Sequence, residues 1–188
     1  LAHGFSVVAI DAPGHGHSRG KQTDPYRFAE ALIDVSTHVG TLYGAVGHSM
    51  GGGSIALALS SGLSLSRAAI IASPSSLHDV LHRFSAAMHL PPKATDHFVR
   101  DARRRIVARG YRTDDIEGAL RAVTVPALVV HARDDKEVPF ADAERIAGFW
   151  PGSTLLPVER VGHRRILRDP ITIAAITEYL GAGLPRED

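Results

Sequence analysis

The segment Gly47-His48-Ser49-Met50-Gly51-Gly52 narrows most sharply what this chain can fold into. Before it runs Gly44-Ala45-Val46, small and apolar enough for a buried strand. After it runs Gly53-Ser54-Ile55-Ala56-Leu57-Ala58-Leu59, whose residues suit a helix lying close on a sheet. A G-x-S-x-G pentapeptide between strand and helix describes a sharp turn that strains the serine backbone and lifts its hydroxyl clear of the sheet. Glycine is expected at Gly47 and Gly51 because a side chain at either position would collide across that turn. The pattern therefore marks Ser49 as a nucleophile. Its bland counterpart is a Gly-rich turn that merely packs a helix on a sheet.

The remaining chain supplies a matching architecture. Residues 5–10 form a continuous apolar run ending at Asp11, expected as a strand buried on both faces. Residues 13–20 read as a loop, and Phe28, Leu32, Val35 and Val39 fall at helical spacing. Residues 67–72, 125–131 and 153–158 read as further strands, and 141–150 as a helix. Asp169-Pro170 opens a last helix carrying Ile171, Ile173, Ile176 and Leu180. Strands alternating with helices predict an α/β fold with a mostly parallel, doubly wound sheet. The alternation breaks between Ser76 and Thr124, where two helical stretches flank Pro91-Pro92. Three segments are expected: 1–76 as core with the turn around Ser49, 77–120 as a helical lid, and 121–188 as core again.

A chain of 188 residues, 44% hydrophobic and 22% charged, fits one domain that buries about 70% of its unfolded surface. A formal charge of +1 gives no reason to expect nucleic acid or a membrane surface as partner. The sequence has no cysteine, which removes disulfides, a thiolate nucleophile and zinc–thiolate sites, and fits a cytoplasmic location. No apolar run approaches the ~18 residues needed to span a bilayer.

A serine hydroxyl needs a base, and histidine suits that role because it titrates near neutrality. Eleven histidines are present, so position must decide. In an open parallel sheet, functional groups gather beyond the carboxyl ends of the strands. Asp134 and Asp135 lie just past the strand ending at His131. His163 lies past the strand ending near Val158, where Gly162 gives the backbone freedom. The order serine, aspartate, histidine is the one that accompanies such a turn. His15 and His17, two histidines without a nearby Asp/Glu/His cluster, make a poor ligand set, so no metal is expected and their loop shapes the pocket floor. His48 either fills space or touches substrate. Arg100, Arg103, Arg104, Arg105 and Arg109 read as a solvated helix face, interrupted by Asp96 and Asp101.

Four segments together resemble the α/β-hydrolase superfamily over nearly the whole chain. They are Asp11-Ala12-Pro13-Gly14-His15-Gly16-His17-Ser18, Gly47 to Gly52, Leu128 to Pro139, and Gly162-His163-Arg164-Arg165-Ile166-Leu167. In similar hydrolases the acid precedes a Val-Pro pair by three residues, which selects Asp135 over Asp134. Ala132 departs from the glycine usual there. The resemblance implies a serine hydrolase acting on a small ester, thioester or amide without a cofactor. Ser49 attacks an acyl carbonyl, His163 carries the proton, Asp135 orients the imidazole, and the Met50 backbone N–H faces the oxyanion. Leu81, Phe84 and Met88 of the lid are expected to wall the acyl pocket. Acyl transfer through the same residues, and a non-catalytic binding fold, are the rival readings.

The resemblance also implies an earlier strand lying between the one ending at Asp11 and the one before Ser49, and a second oxyanion donor in a loop after an earlier strand. The chain starts at Leu1 without supplying either. The expectation is therefore an N-terminally incomplete hydrolase, with residues 5–10 and Ala45-Val46 separated by a strand-sized gap of ~9–10 Å rather than paired.

Overall fold

The structure, a computed structural model, describes residues 4–111 and 115–182. Four parallel strands make one sheet in sequential order: β1 (Gly44–His48), β2 (Arg67–Ile71), β3 (Ala127–Ala132) and β4 (Ser153–Val158). Helix α1 (Pro25–Val39) precedes β1, and α2 (Met50–Ser60) follows it. Helices α3 (Leu77–Ala87), α4 (Pro92–Ala108) and α5 (Asp115–Ala122) lie between β2 and β3. Helix α6 (Phe140–Phe149) links β3 to β4, and α7 (Gly162–Arg165), a single 3₁₀ turn and α8 (Pro170–Gly181) complete the fold.

Because the sheet advances one strand at a time, right-handed crossovers must place successive connecting helices on one face. Helices α2, α5 and α6 accordingly share a core with Ala68, Ile70, Ala127 and Val129 of the sheet. The alternate strand residues Ala69, Ile71, Leu128 and Val130 point the other way, as the period of two requires, and meet Ile166 and Ile176 beyond β4. Trp150 is buried at the end of α6 and its indole N–H donates to the Val125 carbonyl at 2.8 Å. Helix starts follow their signals. The Asp24 carboxylate accepts from Tyr26 N–H and Arg27 N–H before Pro25-led α1, and Asp169 accepts from Thr172 N–H before Pro170-led α8.

Three expectations are corrected. Residues 5–10 run without a ladder partner, and Val7 and Val8 are exposed rather than buried on both faces. No ladder joins them to β1, which is an edge strand. Helix α5 does not belong with a lid, since Ile116, Ala119 and Leu120 sit in the core beside Ile55 and Leu57. Along α8, Ile171 and Ile173 are exposed and Ile176 alone of the three isoleucines is buried. The arginine stretch is also not uniformly solvated. Arg109 donates to Asp24 at 3.0 Å and to Glu30 at 2.7 Å, fastening the end of α4 to α1, while Tyr111 hydroxyl also donates to Glu30.

Close packing at the first turn of α2 rests on a different glycine from the one expected. A Cβ at Gly47 would lie 2.6 Å from the Gly51 carbonyl oxygen, so that position tolerates no side chain. At Gly51 a Cβ would meet only Phe28 at 3.4 Å, an ordinary contact, whereas at Gly52 it would strike Ile70 and Ser73 at 2.8 Å. Gly52→Ala should therefore destabilise the chain by about 1–3 kcal/mol through overpacking. Gly51→Ala should be neutral or stabilising by up to ~1 kcal/mol from helix propensity. Denaturant unfolding of both variants measures the difference; equal effects would show that α2 does not seat on Gly52.

Candidate active site

The turn between β1 and α2 holds Ser49 at φ 53° and ψ −124°, a left-handed backbone that a non-glycine residue adopts only where surrounding structure enforces it. Ser49 N–H donates to the Ile71 carbonyl at 2.9 Å, tying the turn to the end of β2. Its hydroxyl makes no capping bond to the helix it precedes, so the side chain is not consumed by local structure. Met50 is the first residue of α2, where backbone N–H groups have no intrahelical acceptor and the helix dipole favours negative charge.

The acid and histidine come from loops after β3 and β4, both beyond the carboxyl ends of the parallel strands. His163 Nδ1–H donates to Asp135 Oδ2 at 2.7 Å, leaving Nε2 of the neutral imidazole as a lone pair. Asp135 Oδ1 accepts from Glu137 N–H at 2.8 Å and Val138 N–H at 2.9 Å. Both side chains are buried. Asp134 does something else: its carboxylate accepts from Gly162 N–H at 3.1 Å and holds the start of α7. The two neighbouring aspartates thus divide, one to the imidazole and one to the backbone that carries it.

His48 sits between the halves. Its Nε2–H donates to the His163 carbonyl at 2.9 Å, and the two rings lie 4.7 Å apart, so its ring nitrogen is spent on positioning the histidine loop. Burial lowers the His48 pKa below histidine's usual 6.5, against the opposing pull of that hydrogen bond. The predicted pocket residues are more dispersed. Phe84 and Met88 are over half exposed, with Phe84 packed on Phe98 of α4 at 5.6 Å, and Leu81 is half-buried. The loop holding His15 and His17 is shaped by Asp11, which accepts from His17 N–H at 2.8 Å; a Cβ at Gly16 would collide with that carboxylate. A cleft of about 310 Å³ lies elsewhere, between α1, α2 and α5, lined by Tyr26, Glu30, Ile33, Leu57 and Tyr111.

Two features escaped the sequence reading. One is α7, since four residues offer no periodicity to read. The other is His131, whose Nε2 lies 3.0 Å from the Val138 carbonyl and 3.4 Å from Asp135 Oδ2. Its spacing of four residues from Asp135 was visible, but a strand-end histidine carried no sign of which way its ring would turn.

The sequence profile of the Alpha/beta hydrolase family matches residues 1–176. The chain belongs to that family. It is 33% identical over 98 residues to "Putative carbamate hydrolase RutD" of Pseudomonas savastanoi pv. phaseolicola (strain 1448A / Race 6), a match spanning 52% of this chain and 35% of that relative's length. Among solved structures, the monoacylglycerol lipase of Paleococcus ferrophilus superposes with a TM-score of 0.70 at 16% identity, covering 96% of this chain and 85% of the lipase. The esterase RhEst1 of Rhodococcus sp. ECU1013 gives 0.63 at 17% identity, covering 93% and 79%. At such identities these superpositions establish the family's fold. Among the described residues no helix is long and apolar enough to cross a membrane.

The lowered His48 pKa has a stability consequence whose sign is fixed. Between pH 6.5 and its lower folded value, the unfolded chain binds a proton at His48 that the folded chain refuses. Stability should therefore fall as pH drops below about 6.5. In His48→Gln that component should disappear, giving a shallower acid decline in unfolding free energy between pH 7 and 5. Parallel declines in the two proteins would place the titration elsewhere.

Proposed function

We propose that this chain carries the serine hydrolase machinery of its family, cleaving a small ester, thioester or amide through an acyl-enzyme. The observation that carries the reading is the 2.7 Å hydrogen bond from His163 to buried Asp135, beyond the same carboxyl end of the parallel strands as the strained, uncapped Ser49. In this scheme Ser49 Oγ attacks the acyl carbonyl as its proton passes to His163 Nε2. The imidazolium, held by Asp135, then protonates the leaving group as the C–O, C–S or C–N bond breaks. Water repeats the sequence in reverse: His163 takes its proton, the hydroxide adds to the acyl carbon, and Ser49 leaves reprotonated. Met50 N–H donates to the carbonyl oxygen as it gains charge, an interaction of ~3 kcal/mol in comparable sites. The names of the relatives support carbonyl cleavage as the shared theme: a carbamate hydrolase, an esterase and a lipase.

Helices α3 and α4 form the lid of this reading, with α5 left to the core. Two ion pairs fasten α3 to α6: Arg83 to Asp142 at 3.1 Å and Arg145 to Asp79 at 2.9 Å. The substrate is a small acyl compound, and Leu81 and Phe84 bias its chain length.

A fluorophosphonate should label Ser49 stoichiometrically, and Ser49→Ala should abolish both labelling and the burst with an activated ester. Asp135→Asn should keep the fold but lower turnover by on the order of 10³–10⁴, because the imidazole loses its tautomer. Labelling that persists in Ser49→Ala, read by mass spectrometry of the modified peptide, would move the nucleophile elsewhere. For the lid, Leu81→Ala should lower kcat/KM for a hexanoate ester several-fold more than for an acetate ester. An equal loss on both substrates would remove Leu81 from the acyl pocket.

A further inference from the structure

The burial of His131 is hard to explain as packing. Its side chain is fully buried at the end of β3. A carbonyl can only accept, so the 3.0 Å contact with Val138 O requires a proton on His131 Nε2. The neutral ring then carries its lone pair on Nδ1, and that atom is buried with no hydrogen-bond partner among the described residues. An unmet buried polar atom carries a desolvation cost that an apolar side chain of similar size would avoid. Phe140 already provides an aromatic edge contact at 6.0 Å, so apolar filling was available.

What the imidazole supplies instead is a donor at one particular place. The same Nε2 lies 3.4 Å from Asp135 Oδ2, a charge-range contact rather than a hydrogen bond, and that oxygen accepts from His163 at 2.7 Å. Through Val138 O it also closes the loop whose Glu137 and Val138 N–H groups grip Asp135 Oδ1. We propose that His131 is a positioning residue for the acid: its Nε2–H holds Val138 O, and with it the loop that grips Asp135, while the ring edge 3.4 Å from Oδ2 keeps the carboxylate in the rotamer that faces His163. The inference rests on the reading of Asp135 and His163 as acid and base. His131 lies behind the acid rather than beside Ser49, and it acts as a fixed donor that transfers no proton.

The groups that face His163 are Asp135 from the β3 loop and His48 from β1, with Asp134 at Gly162 N–H and Glu137 paired to Arg164 at 3.1 Å beside it. A well-held Asp135 stabilises positive charge on the His163 ring; a carboxylate free to rotate does so less. The test compares His131→Phe, which keeps volume and loses the donor, with His131→Gln, whose amide N–H can reach the same place. NMR titration of the His163 ring should give a lower pKa in His131→Phe than in wild type, restored in His131→Gln. With an activated ester, His131→Phe should lose about ten- to a hundredfold in kcat with little change in KM, and its acid limb should move down in pH. His131→Gln should recover most of that rate. Unchanged His163 titration in His131→Phe overturns the proposal, as does an equal loss in both variants that tracks only a lower Tm. The ring titration needs no turnover, so it decides the role of His131 even if wild type fails to label at Ser49, the result that sinks the serine-hydrolase reading itself.

Discussion

How closely α2 can approach the end of β1 sets everything else at the site. The approach is permitted by two missing side chains: a Cβ at Gly47 would meet the Gly51 carbonyl at 2.6 Å, and one at Gly52 would meet Ile70 at 2.8 Å. With the helix seated so tightly, the single residue between strand and helix must reverse direction, and Ser49 takes φ 53° to do so. A conformation of this kind costs on the order of 1–3 kcal/mol and survives only when its surroundings over-determine it. Here they do, because Ser49 N–H is held by Ile71 O and Gly52 N–H by Ser49 O. The strain leaves the hydroxyl outside the helix's own hydrogen bonding and sets the first N–H groups of α2 beside it.

A second constraint is the buried carboxylate of Asp135. An ionised group removed from water is tolerable only with donors arranged around it. Asp135 has Glu137 and Val138 N–H on one oxygen and His163 on the other, with His131 within 3.4 Å. The loop from 133 to 138 is therefore wound around the carboxylate, and the Val-Pro pair that follows marks where the winding ends. Asp142 repeats the theme on α6, buried between Ser75 N–H at 3.2 Å, the Ser75 hydroxyl and Arg83.

Much of this was legible in the residues because each element had a local cause. The Pro-led helices with aspartate caps, the apolar runs of β2 and β3, and the turn at Ser49 all carry their reasons within a few positions. Residues 5–10 misled for a physical reason: an apolar run reports that burial would be favourable, and only a partner strand can provide it. Gly51 and Gly52 were exchanged because the pentapeptide fixes attention on its own flanks, while the tight contact is made by Ile70 and Ser73, some twenty residues away. Ile116, Ala119 and Leu120 were assigned to a lid because their place in the core depends on α2 lying opposite, a tertiary fact. Chemistry alone left Asp134 and Asp135 open, since both are carboxylates one residue apart; the resemblance chose Asp135 by its spacing from the Val-Pro pair, and the two side chains turn to Gly162 N–H and His163 respectively.

The order of the strands explains why a second histidine stands beside Ser49. β1 and β4 are separated by β2 and β3, a distance of about 14 Å at the usual ~4.8 Å spacing between strands. For His163 to meet a serine at the end of β1, the chain leaving β4 must run back across the ends of the intervening strands. Gly162 opens that path at φ 59°, Asp134 takes the freed N–H, and α7 carries His163 inward to Asp135. These contacts fix the histidine to β3 and leave its distance from β1 to be set by something else. His48 supplies that bond, since its donor reaches the His163 carbonyl from the residue immediately before Ser49. A backbone carbonyl is the right target, because binding it restrains the loop and leaves the imidazole of His163 free to bind Asp135 on one nitrogen and a proton on the other. Burial lowers the His48 pKa, which disfavours a positive charge on the tether 4.7 Å from the His163 ring. A lysine or arginine at that position could make the same hydrogen bond but would bring the charge with it.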